Sequence, residues 1–226
     1  MTKIAILEYS LYGHINQLSR SIKKGIESVG VEVEHLRCAE TLPSEVLEQM
    51  HAPPKPEDVR ELTPADVNEL EGFDGIMFGV SARYGGIPAQ MKTIMDATGG
   101  LWQNGKLVGK TAGVFQSTGT MQGGQESVAM NCMSFFAHQG MVFIPLGYID
   151  PKVFSYEEIH GGSPWGSGTY AGPDGSRQPT FMELSIAENH GRHFDKIDCK
   201  DFCINIGSIN LTSHSMAIGQ IKPTTH

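Results

Sequence analysis

A chain of 226 residues, 39% of them hydrophobic, is long enough to bury the core of one domain. Its formal net charge of −8 argues against a nucleic-acid partner, because holding phosphates along a strand needs a basic face, and no apolar run is long enough to span a bilayer. Four cysteines (Cys38, Cys132, Cys199, Cys203) are too scattered for a disulfide framework or a four-ligand zinc site, so no metal centre is expected. The first residues lack a signal-peptide cleavage site, and the cysteine usage fits a reducing, cytoplasmic setting.

In chain order, Lys3 to Leu7 (KIAIL) reads as a short buried strand. Ile15, Leu18, Ile22, Ile26 and Val29 then recur at helical spacing, and Gly30 supplies a stop. Val31 to Leu36 (VEVEHL) alternates as a half-buried edge strand does. From 44 to 72, prolines punctuate two short helical pieces, which read as a surface excursion and not as a linker between domains. Asp74 to Val80 (DGIMFGV) predicts a third strand, and Pro88 to Ala97 a helix with Pro88 near its first turn. Thr111 to Gln116 is a fourth strand, followed by a helix from about Gly124 to His138. Met141 to Pro145 is a fifth, and a last helix starts near Thr180 with Met182, Leu184, Ile186 and Ala187 buried.

This alternation implies an α/β fold: a parallel sheet covered on both faces through right-handed crossovers. Five strands suit the doubly wound, flavodoxin-like sandwich of order 2-1-3-4-5, in which ligands bind beyond the carboxyl ends of strands 1, 3 and 4. Three loops fall there: "SLYGHIN", "SARYGGIP" and "STGTMQGGQE".

The first has neither a Walker pattern nor GxGxxG. It offers Ser10, Asn16, a flexible Gly13 and the free N–H groups of a helix start, which hold a monoester phosphate without a cation. Its plainer reading is a helix cap by Ser or Asn. In the second, glycines let backbone approach a planar ligand. There Arg83 is a donor to a ring carbonyl or phosphate, or else a surface ion-pair partner; Tyr84 lies along a ring, or else packs over the sheet end. The third brings Ser117, Thr118, Thr120 and glycines ahead of a helix whose positive end suits Glu126. Three such loops at the correct ends of three strands reinforce one another.

The motifs "YSLYGHI", "FGVSARYGG", "TGGLWQNGKLVGK", "STGTMQGGQE", "FAHQGMVFIPLGY" and "GGSPWGSGTYAGPDGSRQPTFMELSIA" run in order through residues 3–194. In them the chain resembles the WrbA family of flavodoxin-like NAD(P)H:quinone oxidoreductases. The resemblance implies FMN, its phosphate on Ser10, Leu11, Tyr12, Gly13, His14 and Ile15. It implies ring contacts from Ala82, Arg83 and Tyr84 and from Ser117, Thr118, Gly119, Thr120, Met121 and Gln122. His138 matches the family histidine at the flavin, and Trp102 the aromatic wall above the ring; Tyr12 and Trp102 match contacts for nicotinamide and quinone. His138 and Tyr148 are candidate catalytic proton donors, Tyr148 from a neighbour's site.

The implied chemistry is two-electron reduction of quinones by NADH or NADPH, in ping-pong fashion through one shared site. The implied assembly is a homotetramer, buttressed by an ordered Gly-rich insertion at about 147–179 with Arg177 at an interface. A one-electron carrier of flavodoxin type and a non-catalytic oligomeric stress or membrane-domain protein are the alternatives. The chain departs from the family pattern at "VSAR", where threonine-proline-threonine commonly precedes the arginine. It departs again at Met121 and Gln122, which replace glutamine and glycine; a positive φ at 122 would disfavour glutamine. Residues 195–226, beyond the resemblance, are expected to be a poorly ordered extension, with "CINI" as a possible partner for a sheet edge.

Overall fold

Alternation along the first strand sets the layering. In β1 (Lys3–Tyr9), Ile4 and Ile6 pack with Ile15, Leu18, Ile22 and Ile26 of α1 (His14–Glu27), while Ala5, Leu7 and Tyr9 join the cluster on the opposite face. The computed structural model describes residues 2–194, so the expectations for 195–226 lie outside the described residues. The remaining elements are β2 (Glu32–Cys38), α2 (Ser44–Gln49), β3 (Arg60–Leu62), a 3₁₀ turn at Val67–Gly72, β4 (Gly75–Ser81), α3 (Ala89–Ala97) and α4 (Gly99–Gln103). They continue with β5 (Thr111–Thr118), α5 (Gln125–Gln139), β6 (Val142–Phe143), a 3₁₀ turn at Pro151–Phe154, β7 (Gly168–Tyr170) and α6 (Phe181–Phe194).

The sheet is parallel throughout, in the order β3-β2-β1-β4-β5-β6, with β7 also on β5. Among the described residues it thus has seven strands where five were expected. β3 covers the outer side of β2, so β2 is no edge and its last four residues are buried. Three residues are too few for a strand period to show in sequence. β6 pairs with Thr111 and Ala112, and β7 with Gln116 to Thr118, both along the side of β5 away from β4. One strand position is therefore filled in two halves, and the Gly-rich segment loops out between them.

α1 and α6 cover one face; α3 and α5 cover the other, through Met91, Ile94, Val128, Ala129, Cys132 and Phe136. The α1–α6 crossing is close enough to require glycine on both helices: a Cβ on Gly25 would stand 2.0 Å from the Glu188 carbonyl oxygen, and one on Gly191 2.2 Å from that of Ile22. α1 stops at Glu27, two residues earlier than its hydrophobic period suggests, and leaves Val29 exposed. Met182 and Leu184 are only half-buried. The inward stripe of α6 instead carries Glu183 and His190 beside Ile186, Ala187 and Phe194.

Arg177, expected at an interface, is engaged within the chain. Its guanidinium donates to both carboxylate oxygens of Glu183 and to the carbonyls of Tyr170 and Ile159. Among the described residues no helix is long and apolar enough to cross a membrane.

Candidate active site

The three loops converge beyond the carboxyl ends of β1, β4 and β5, around a cleft of about 630 Å³. Ser10, Leu11, Tyr12, His14 and Ile15 form one wall. Ala82 and Arg83 follow β4; Ser117, Thr118 and Gly119 close the end of β5. Gly13 N-caps α1 in the left-handed region (φ 87). No side chain caps this helix, so its first-turn N–H groups have no partner from within the helix. Asn16 does not help to cap it either: it donates to Glu8 at 2.9 Å and accepts from Arg20.

The second loop turns on Arg83–Gly86, whose end residues exchange backbone hydrogen bonds while Tyr84 (φ 52) and Gly85 (φ 70) both have positive φ. This is a type I′ turn, a geometry that favours Asn-Gly over Tyr-Gly. It holds the Tyr84 ring fully exposed at its tip. Ser127 at the start of α5 donates to the Gly85 carbonyl at 2.6 Å and fastens the turn to the third loop. Thr120, Met121 and Gln122 are exposed beyond the cleft, and Gln122 has no positive φ, so its replacement of glycine carries no backbone strain.

Two cleft walls were not foreseen. Ala171 to Gly175 form a lip from the end of β7, and Met50 and His51 form a shoulder from the excursion. The lip is tied to α1, since His14 Nε2 lies 2.8 Å from the Arg177 carbonyl; that ring nitrogen must carry the proton. The shoulder is tied to the first loop by Tyr12, whose hydroxyl donates to the Met50 carbonyl at 3.1 Å. His51 occupies the C′ position of α2, with its N–H on Glu48 and that of Ala52 on Leu47, a site usually given to glycine. The sequence signal was present in the Pro-Asp-Gly turn at 173–175 and in the proline run after Ala52.

Trp102, His138 and Tyr148 do not border the cleft. α5 runs about 20 Å away from the third loop before it reaches His138, given 1.5 Å of rise per residue. Gln139 donates to Thr98 Oγ1 at 2.7 Å, which places that helix end beside α4 and hence near exposed Trp102, at the amino end of the sheet. Tyr148 stacks on Phe154 at 4.7 Å beside a separate hollow, also bordered by Tyr156 and His160.

The donor set suits FMN. An uncapped helix terminus with Ser10 alongside meets a phosphate. Ser81 Oγ, bordering the same cleft, is buried without a partner and thus open to a ring heteroatom.

Comparison with known proteins agrees. The signature of the family described as NADPH-dependent FMN reductase matches residues 3–152. The chain is 51% identical over 197 residues to NAD(P)H quinone oxidoreductase YCP4 of Candida albicans, covering 86% of this chain and 67% of that one. It is 48% identical to quinone-oxidoreductase QR2 of Triphysaria versicolor, covering 88% and 96%. A solved flavodoxin, WrbA-like protein from Agrobacterium tumefaciens shares the fold at TM-score 0.61 and 16% identity, covering 89% and 99%. With a cleft at the flavodoxin position and relatives at this level of identity, the chain belongs to the NADPH-dependent FMN reductase family and has a flavodoxin-like fold.

Proposed function

We propose that this protein is an FMN-dependent NAD(P)H:quinone oxidoreductase, reducing quinones to hydroquinones by two electrons with NADH or NADPH as donor. The observation that carries the reading is the single cleft built from all three loops, in a chain whose relatives are named as quinone oxidoreductases. Bound there, FMN supplies the redox chemistry of the reaction.

The chain's own residues bind and orient. The α1 terminus with Ser10 to Ile15 takes the phosphate; Ser81, Ala82 and Arg83 with Ser117 to Thr118 hold the ring edge. Tyr12, braced on Met50, forms an aromatic wall against which a nicotinamide packs. One opening for both planar guests supports the reading that donor and quinone take turns, in ping-pong fashion.

The positions of Trp102 and His138 support a homotetramer. Both are exposed at the amino end of the sheet, so either meets a ring at the three loops only by coming from another copy. Tyr148 borders a hollow that Glu126 of the third loop also lines, and is read as a proton donor to a neighbour's site.

Anaerobic visible-absorbance titration of the FMN-loaded protein tests the reading. NADH or NADPH should bleach the flavin, and benzoquinone should restore it stoichiometrically. A protein that never loads FMN, or loads it and is bleached by neither donor, refutes the assignment and points to a non-catalytic assembly. Bleaching followed by recovery only through one-electron acceptors points to a carrier.

A further inference from the structure

Beside the flavin cleft lies a second hollow of about 490 Å³, between the start of α1, the end of β2 and the 44–56 part of the excursion. The two share Ser10, Leu11 and Tyr12 as a common wall. Arg37 of β2 lines this hollow. Its side chain is 7% exposed, and none of its donors makes a hydrogen bond to the described residues; the nearest carboxylate oxygen, of Glu61, is 4.0 Å from a buried and unpartnered Nε. A guanidinium offers five N–H donors in a rigid fork; here Nε is shut away from water without a partner, which is costly, and the Nη donors are likewise unfilled by protein groups.

The acids nearby do not fill them because each is engaged elsewhere. Glu8 accepts from Asn16 and, at 2.5 Å, from Ser19. Glu40 accepts from Tyr9, Gln90 and the N–H groups of Thr41 and Leu42. Burial alone would raise the Glu40 carboxyl, but these donors outweigh it and hold the group below its ordinary range. Lys55 adds a second cation to the lining, paired to Glu61 at 2.7 Å, and Glu48 lines the hollow too.

We propose that this hollow is the subsite for a phosphate on the adenosine half of NAD(P)H, gripped by Arg37. The inference rests on the reading of a pyridine dinucleotide as the electron donor. A nicotinamide in the flavin cleft leaves its adenosine half outside, and the adjoining hollow beyond the Tyr12 wall is the place it reaches. The planar fork matches phosphate oxygens two at a time, as a lysine does not.

The test is calorimetric titration of the FMN-loaded protein with adenosine 2′,5′-bisphosphate and with 5′-AMP. Both probes are applied to wild type, Arg37→Met and Arg37→Lys. At least one should bind wild type, weaken about tenfold or more in Arg37→Met, and weaken less in Arg37→Lys, as expected for loss of a bidentate charged contact. Loss confined to the bisphosphate assigns the 2′-phosphate and a preference for NADPH; loss for both assigns the 5′-phosphate shared with NADH. In steady state, the ratio of KM for NADPH or NADH to KM for phosphate-free 1-benzyl-1,4-dihydronicotinamide should rise by the same factor.

Equal binding by wild type and Arg37→Met, or no binding of either probe to wild type, overturns the proposal. Should Arg37→Met not fold, the wild-type titration and Arg37→Lys still decide. If neither the dinucleotides nor the benzyl donor bleaches the flavin, the donor reading fails. The calorimetry judges the Arg37 subsite separately.

Discussion

Glu183 is completely buried on α6, yet five donors converge on its carboxylate. They are the N–H groups of Gly161 (2.7 Å) and Thr180 (2.9 Å), Thr169 Oγ1 (2.8 Å) and both Nη atoms of Arg177 (3.1 Å each). This one group binds the looped-out segment, β7 and the lip of the cleft to the last helix. Glu183→Gln keeps the volume but turns an NH₂ group toward donors, so at least one contact becomes donor against donor and Arg177 loses its counter-charge. Removing one partner of a buried pair typically costs about 3–5 kcal/mol. Arg177 keeps 27% of its side-chain surface and recovers some hydration, so about 3 kcal/mol is expected. For a domain of this size that lowers Tm by roughly 6–12 °C. Thermal unfolding followed by circular dichroism measures it, and limited proteolysis should show new cleavage between residues 155 and 180. A Tm within about 2 °C of wild type would refute the view that Glu183 is the keystone of the insertion.

Gly25→Ala should lose about 1–3 kcal/mol in guanidinium unfolding despite alanine's better helix propensity, because its Cβ would meet the Glu188 carbonyl; Gly72→Ala, in open space, should stay near wild type. Tyr84→Gly should gain up to about 1–2 kcal/mol by relieving a left-handed tyrosine, while FMN retention on gel filtration falls; unchanged retention would mean that the ring is not used. Burial, with a smaller contribution from His193, pushes His190 down to about 3. The unfolded chain therefore takes up a proton that the native state refuses, and stability falls as pH drops from about 6.5 toward 3, by up to about 1.4 kcal/mol per unit. His190→Gln should flatten that acid limb in unfolding titrations between pH 7.5 and 4.5. A limb of unchanged slope would place the acid sensitivity elsewhere.

The long periodic elements were legible because their core faces repeat: α1, the central strands and α5 fall within two or three residues of their expected bounds. β3 and β7 were not, since three residues carry no period and each is held by partners distant in sequence. Glu183 and His190 were hidden for a related reason. A polar residue on an inward helical position reads as a break in the stripe unless its partners, here Arg177 and Ser167, are already known to be close. The site was legible as three loops because strand order dictates where they meet. Its lip and shoulder come from segments whose only sequence signals were turns, which show that the chain bends and not where it goes.

Backbone strain links these unforeseen parts to the site. Among the described residues, His51 and Tyr84 are the non-glycine positions with positive φ, both at 52°. One borders the cleft on the shoulder, and the other sits at the tip of the loop that carries Arg83 into it. The helix C′ position and the type I′ turn both accept glycine at no steric cost, and neighbouring turns of this chain use it, as at Gly85 and Gly140. A side chain kept where glycine is the relaxed choice needs a compensating gain. Packing does not supply it at Tyr84, whose ring touches solvent on every side. Contact with a ring in the cleft, or with the face of another copy closing over it, would supply that gain, and FMN retention by Tyr84→Gly separates the first from the second.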